Sequence, residues 1–157
     1  MFRRFSFEED IYCSLDCVPM TVRRKLDRVG LKVGLAQWQA LGQGERLAVC
    51  HLPAEEPEEC EALRTFVIEA VNRVSGVEPK ELPAVQRLSA EPPGEVPATL
   101  VAEAGSKGVA LTQEMWNSLD GDQRYVLTKL GGQSKSDKLG IALRELFSGA
   151  AGVSSNA

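Results

Sequence analysis

The stretch Cys17–Trp38, CVPMTVRRKLDRVGLKVGLAQW, decides the fold class. Pro19 suits a helix start, where a missing N–H costs nothing and φ is already set. Val22, Leu26 and Val29 follow at i, i+4 and i+7, one apolar stripe at helical period. Arg23, Arg24, Lys25, Asp27 and Arg28 cover the other faces, and Gly30 can supply a left-handed cap. Arg23 can pair with Asp27 at i, i+4, worth only ~0.3–0.5 kcal/mol when exposed. Arg24, Lys25 and Arg28 then have no local partner in sequence. They read either as a solvated face or as a docking surface for an acidic patch on a larger protein. On either reading, reversing the charge of Arg24 and Lys25 should change stability by under about 0.5 kcal/mol.

Working outward, the chain echoes itself. From Gly30, GLKVGLAQWQALGQGERLAVCHL aligns without gaps with GVALTQEMWNSLDGDQRYVLTKL from Gly108. The offset is 78 residues, from Trp38 to Trp116. One register that pairs Gly30 with Gly108, Leu41 with Leu119, Arg46 with Arg124 and Val49 with Leu127 predicts two helix–turn–helix units, 30–52 and 108–130. Each Trp has a Leu at i+3 on the same helical face, so Trp38 and Trp116 are expected as core anchors. Arg46 and Arg124 are expected to tie each hairpin together. Asp120 with Gln123 reads as a capping box opening the second helix, a role Gly42 and Gly44 fill less well.

Between the two units, Cys60, Leu63, Phe66, Val67, Ala70, Val71 and Val74 form an apolar stripe, predicting a long helix from Pro57 to Ser75. Val77 to Pro97 holds Pro79, Pro83, Pro92, Pro93 and Pro97 and reads as an irregular connector. Helices are expected from Pro97 to Ala104 and around Leu139, Leu143, Leu146 and Phe147. The expectation is therefore an all-α fold, a single helical domain over 1–147 whose two pseudo-repeated helix–turn–helix units flank a long central helix. Residues 148–157, SGAAGVSSNA, carry too little apolar mass to fold and should form a disordered tail.

A 43% apolar and 25% charged composition is ordinary for a soluble globule. No run of about 18 apolar residues is present, so no membrane span is expected. The opening MFRRFSFEED turns acidic before any apolar core of a signal peptide, which points to the cytoplasm, or to an organelle stroma if a transit peptide has been removed. Residues 1–32 hold seven Lys/Arg against five Asp/Glu, whereas 53–103 hold four against eleven. The acidic half reads as a solvated face or as one that steers a basic partner. A pI near 5.1 argues against nucleic acid, which wants a concentrated basic footprint.

Catalytic sets are absent from the sequence. The sole histidine, His51, has no recognisable Ser or Cys nucleophile motif around it. Cys13, Cys17, Cys50, His51 and Cys60 could be assembled into a metal or iron–sulfur carrier site, but the spacing lacks the closer Cys-x-x-Cys knuckles of common signatures. Free reduced thiols and no cofactor are expected instead. Leu130-Gly-Gly-Gln-Ser-Lys-Ser136 resembles a phosphate loop only superficially: Ser134 replaces the Gly before Lys135, and no apolar strand precedes it. Asp120-Gly-Asp122 runs directly into helix-period residues, so a twelve-residue calcium loop cannot be completed.

Ordered motifs along most of the chain carry a resemblance. Pro19-Met-Thr-Val-Arg-Arg-Lys-Leu-Asp-Arg-Val-Gly30 is closely similar to a Pro-Met-x-Val-Arg-x-Lys-Leu-Asp-x-x-Gly segment of the nitrate reductase associated protein family of cyanobacteria and other bacteria. Phe5-Ser6-Phe7-Glu8 resembles that family's opening, and Trp38, Leu41 and Glu45-Arg46 its next segment. Pro79-Lys80-Glu81-Leu82-Pro83 and the set Trp116, Leu119, Gln123, Arg124 resemble later ones, while Arg87–Val96 and the tail after Phe147 depart from the pattern. The resemblance implies a non-catalytic accessory protein that binds assimilatory nitrate reductase and supports its maturation or activity, with no known active site. The expected partner-binding residues are Arg23, Arg24, Lys25 and Arg28 with Lys80 and Glu81, on Met20–Trp38 and the Pro79–Pro83 connector. Two alternatives stand beside it: the metal or cluster carrier, and a helix–turn–helix nucleic-acid binder suggested by the hairpins and the basic helix.

Overall fold

A computed structural model describes residues 2–133 and 137–154, with side chains to 147. The protein is mostly helical, and its only described strands are two short segments. Two compact units are present: residues 1–4 with 8–91, and residues 5–7 with 92–157.

In the first unit, helix α1 (Glu9–Ser14) ends at Leu15 and leads into α2 (Met20–Val29). Helix α2 starts where the sequence puts it because Pro19 is extended and the buried Glu8 carboxylate accepts the Met20 N–H at 3.0 Å. A carboxylate at a helix N-terminus is the favourable sign for the backbone dipole. Strand β1 (Leu31–Lys32) follows, then α3 (Leu35–Ala40), α4 (Gln43–His51) and α5 (Pro57–Ser75). Helix α5 opens on Pro57, and the Glu59 carboxylate accepts the N–H groups of Glu55 and Glu56 at 2.9 and 3.0 Å. Those two bonds hold the Glu59 carboxyl below its ordinary range. Val22, Leu26, Val29, Trp38, Val49, Leu63, Val67 and Val71 meet in the core, the stripes the sequence period marked.

The Val77–Pro97 connector is more structured than its proline content predicts. It holds strand β2 (Lys80–Glu81), helix α6 (Ala84–Arg87) and a 3-10 turn, Leu88–Ala90. Strand β2 pairs antiparallel with β1, Leu31 opposite Glu81 and Lys32 opposite Lys80. Two-residue strands carry no periodicity, so only the tertiary pairing reveals them.

Gly30 closes α2 at φ +77°, and its carbonyl accepts the Leu82 N–H at 2.9 Å. An added Cβ would lie 2.3 Å from Cζ of Arg87. Gly30→Ala should therefore cost more than the ~1–2 kcal/mol of a left-handed non-Gly residue, because Arg87 must also move. Gly108→Ala, at φ +83° with nothing within 4 Å of the new Cβ, should cost only the backbone term. Urea melts of the two variants check this; equal losses would contradict it.

The second unit contains α7 (Ala98–Ser106), α8 (Gln113–Asn117), α9 (Gly121–Leu130) and α10 (Lys138–Ser154). Its buried residues include Leu100, Ala104, Trp116, Leu119, Tyr125, Leu127, Leu139 and Leu143. Asp120 and Gln123 form the expected reciprocal cap, each side chain bonding the other's N–H at 2.9 Å. In α4, only the return half exists: Glu45 accepts the Gly42 N–H at 3.0 Å. Helix α10 runs past Phe147 into the segment read as a disordered tail, where Ala150 and Ala151 favour helix. Residues 155–157, like the Ser134–Ser136 part of the phosphate-loop look-alike, lie outside the described residues.

Internal hydrogen bonds of one unit recur in the other, 78 residues on. Trp38 Nε1 donates to the Leu15 carbonyl at 2.7 Å, and Trp116 Nε1 to the Pro93 carbonyl at 2.9 Å. Arg46 Nε donates to the Trp38 carbonyl at 3.2 Å, and Arg124 Nε to the Trp116 carbonyl at 3.1 Å. Pro19 and Pro97 precede α2 and α7.

Candidate functional site

The basic helix α2 does not present the surface its sequence suggests. Lys25 is half-buried, and its ammonium donates to the carbonyls of Val49, Cys50 and Leu52 at 2.6, 2.9 and 2.7 Å. These are last-turn carbonyls of α4, which lack intrahelical partners and carry the negative end of the dipole. Lys25 is thus the C-terminal cap of α4. Arg24 donates to the Ala90 carbonyl at 2.9 Å and pairs with Glu91 at 3.6 Å. Arg28 bonds the Ala54 carbonyl and Glu91, both at 2.8 Å, and pairs with Glu55 at 3.5 Å. Arg24, Lys25 and Arg28, three of the five expected docking cations, are therefore engaged inside the first unit. Their partners lie 24 to 67 residues away in sequence, which is why local reading leaves them unmatched. The local pair of Arg23 with Asp27 does not form: the exposed Arg23 side chain makes no hydrogen bond or ion pair among the described residues, and Asp27 accepts from Ser89 at 3.4 Å.

Lys80 and Glu81 separate in role as well. Glu81 pairs with Arg64 and, at 3.0 Å, with Arg87. The hydrogen bond from Arg64 is the main reason its carboxyl stays below the ordinary range. Lys80 is exposed, and the β1–β2 register sets it directly opposite the exposed Lys32. Neither ammonium has a partner among the described residues. Like charges facing each other across a ribbon destabilise it, so this pair contributes nothing to holding the fold. Leu35 and Val77, 55% and 64% exposed, stand three residues beyond Lys32 and three before Lys80. Gln37 links the two flanks through its bond to the Val77 carbonyl at 3.5 Å. The ribbon thus brings Met20–Trp38 and Pro79–Pro83 side by side. Both segments are marked in the sequence, but Lys32 is not: its only signal is its pairing.

The proposed metal set is not gathered. Cys13 and Cys17 are exposed, Cys60 is half-buried and Cys50 is buried. No three His, Cys, Asp or Glu among the described residues form a group that could hold a metal ion. Burial pushes the Cys50 thiol up to about 11, against the smaller opposing pull of Lys25 and Arg4. In the absence of a metal that thiol is protonated and weakly nucleophilic at neutral pH. His51 packs edge-on against the Phe2 ring at 5.6 Å. The hairpin arginines, Arg46 and Arg124, bond backbone carbonyls of their own hairpins, and Arg46 also reaches the Ser14 and Leu15 carbonyls at 3.4 Å and pairs with Asp16 at 3.8 Å.

No helix among the described residues is long and apolar enough to cross a membrane. No curated protein and no solved structure matches the chain. One family does, by a description that names association with nitrate reductase rather than reductase activity. The match runs over residues 4–146 and takes in the basic helix, both Trp hairpins and the ribbon: the chain belongs to the family of conserved nitrate reductase-associated proteins.

Proposed function

We propose that the protein is a non-catalytic accessory factor that binds assimilatory nitrate reductase and supports its assembly or activity, in the cytoplasm or an organelle stroma. The family match over nearly the whole chain carries this reading. The β1–β2 ribbon is its docking surface, with Lys32 and Lys80 facing an acidic patch and Leu35 and Val77 giving apolar contact. Exposed cations without internal partners speed encounter with an acidic surface without being needed for the fold.

Lys32→Glu with Lys80→Glu should leave stability within about 0.5 kcal/mol of the parent. Association with nitrate reductase should slow, and the parent's own rate should fall as salt rises. Stopped-flow or surface-binding kinetics on the purified reductase read this out. A double variant that binds as fast as the parent at low salt removes the ribbon as the docking surface. A parent that captures no nitrate reductase from nitrate-grown cells removes the partner itself.

A further inference from the structure

We infer that an open pocket at the C-terminal end of α9 receives a primary alkylammonium group, the side chain of a lysine on a protein partner. The pocket has a volume of about 310 Å³, and its wall includes Pro97, Thr99, Leu100, Glu103, Thr128, Gly131 and Gly132. The first unit shows what such a place accepts. Counting back 78 residues, Glu103 corresponds to Lys25, and the carbonyls of Leu127, Thr128 and Leu130 correspond to those of Val49, Cys50 and Leu52. There the Lys25 ammonium sits on all three carbonyls within 2.9 Å.

In the second unit the lysine is replaced by a carboxylate. Both Glu103 oxygens accept the Gly132 N–H, at 3.1 and 2.8 Å, taking the donor that would otherwise continue the helix ladder to Thr128. A negative side chain then stands at the negative end of a helix, the unfavourable sign for the dipole. Lys129, the basic residue of the last turn, places its ammonium over the Tyr125 ring at 5.4 Å. Glu103 and Thr128 line the pocket, and together the carboxylate and the Thr128 carbonyl offer acceptors to a cation with several N–H donors, which an ammonium supplies. The Leu127 and Leu130 carbonyls already accept the N–H groups of Gly131 and Gln133 at 3.0 and 3.3 Å. Its stem fits as well. Gly131 and Gly132 stand where the first unit has Pro53 and Ala54, and a Cβ on Gly132 would meet nothing within 4 Å. That opening, walled by Pro97 and the buried Leu100, suits the methylenes of a lysine, which bury along apolar surface while the head stays polar.

The inference uses the proposed association only for the source of the lysine, and its test needs no reductase. N-acetyl-lysine methylamide, titrated into the full chain, should shift the Gly131 and Gly132 amide resonances in a saturable way. Its Nε-acetylated counterpart should not. Glu103→Gln keeps an acceptor for the Gly132 N–H and so keeps the helix end. It should weaken the probe by about tenfold, the equivalent of one charged hydrogen bond. Glu103→Lys should place the chain's own ammonium in the pocket, raise Tm and abolish the probe's effect. Absence of shifts with the lysine probe, equal shifts with the acetylated one, or unchanged binding in both Glu103 variants overturns the site. Probe binding without reductase capture leaves the pocket standing and sinks only the choice of partner.

Discussion

Trp38→Ala is expected to lower stability by about 3–5 kcal/mol, the usual cost of truncating a buried Trp. The indole is 1% exposed, and its N–H reaches the Leu15 carbonyl at 2.7 Å. Leu15 holds that carbonyl in place from a left-handed backbone, φ 54°, which a non-Gly residue adopts only when surrounding contacts enforce it. Trp38 therefore anchors the N-terminal segment to the α3–α4 hairpin as well as filling the core. Trp38→Phe keeps most of the ring but not the donor, and should lose about 1–3 kcal/mol. With total stabilities typically about 5–15 kcal/mol, the Ala variant stands close to unfolding. Trp116→Ala should behave similarly, since that indole is fully buried, bonds the Pro93 carbonyl and lies under the Arg124 guanidinium at 5.5 Å. Equilibrium urea unfolding checks the series. Losses below about 1 kcal/mol for both Ala variants would show that the indoles are not core anchors.

Lys25→Met should be the second most damaging change, at about 2–3 kcal/mol, although it keeps most of the apolar stem of the side chain. Hydrogen bonds to a charged donor contribute about 1.5–3 kcal/mol each in favourable cases, and three half-buried carbonyls lose theirs together. Water can reach part of this site, which keeps the loss below three full bonds. Lys25→Glu should be worse than Lys25→Met, because it sets a carboxylate against the negative end of α4. The double reversal of Arg24 and Lys25, expected from sequence to be nearly neutral, should thus unfold or loosen the first unit. Thermal melts of Lys25→Met, Lys25→Glu and Arg23→Glu decide it. Arg23, exposed and without an internal partner, should tolerate reversal. If all three melt alike, the capping role of Lys25 is wrong.

The anchoring role of Trp38 is written in the order of residues along the chain, whereas the capping role of Lys25 is not. Trp38 is legible because a large aromatic at i with Leu at i+3 inside an apolar stripe has few other uses. The same logic locates α2, α5 and both hairpins, and the Asp120–Gln123 cap, whose partners are three residues apart. Such features rest on contacts within one or two helical turns, and periodicity along the chain records those directly. Family membership is legible for a related reason, since ordered motifs are read in one dimension.

Tertiary structure alone decides which cations are free. The sequence shows Arg23, Arg24, Lys25 and Arg28 as equals on one helix, but folding gives Arg24, Lys25 and Arg28 partners from the α4 end and the Ala90–Glu91 turn and leaves Arg23 in solvent. It also converts a proline-rich connector into a strand, because Lys80–Glu81 finds backbone partners in Leu31–Lys32. That pairing sets Lys32 against Lys80 and creates the candidate docking ribbon. The reason is the same in each case: a charge or a two-residue strand has no period of its own. Its role is fixed by what the distant chain brings to within hydrogen-bond reach.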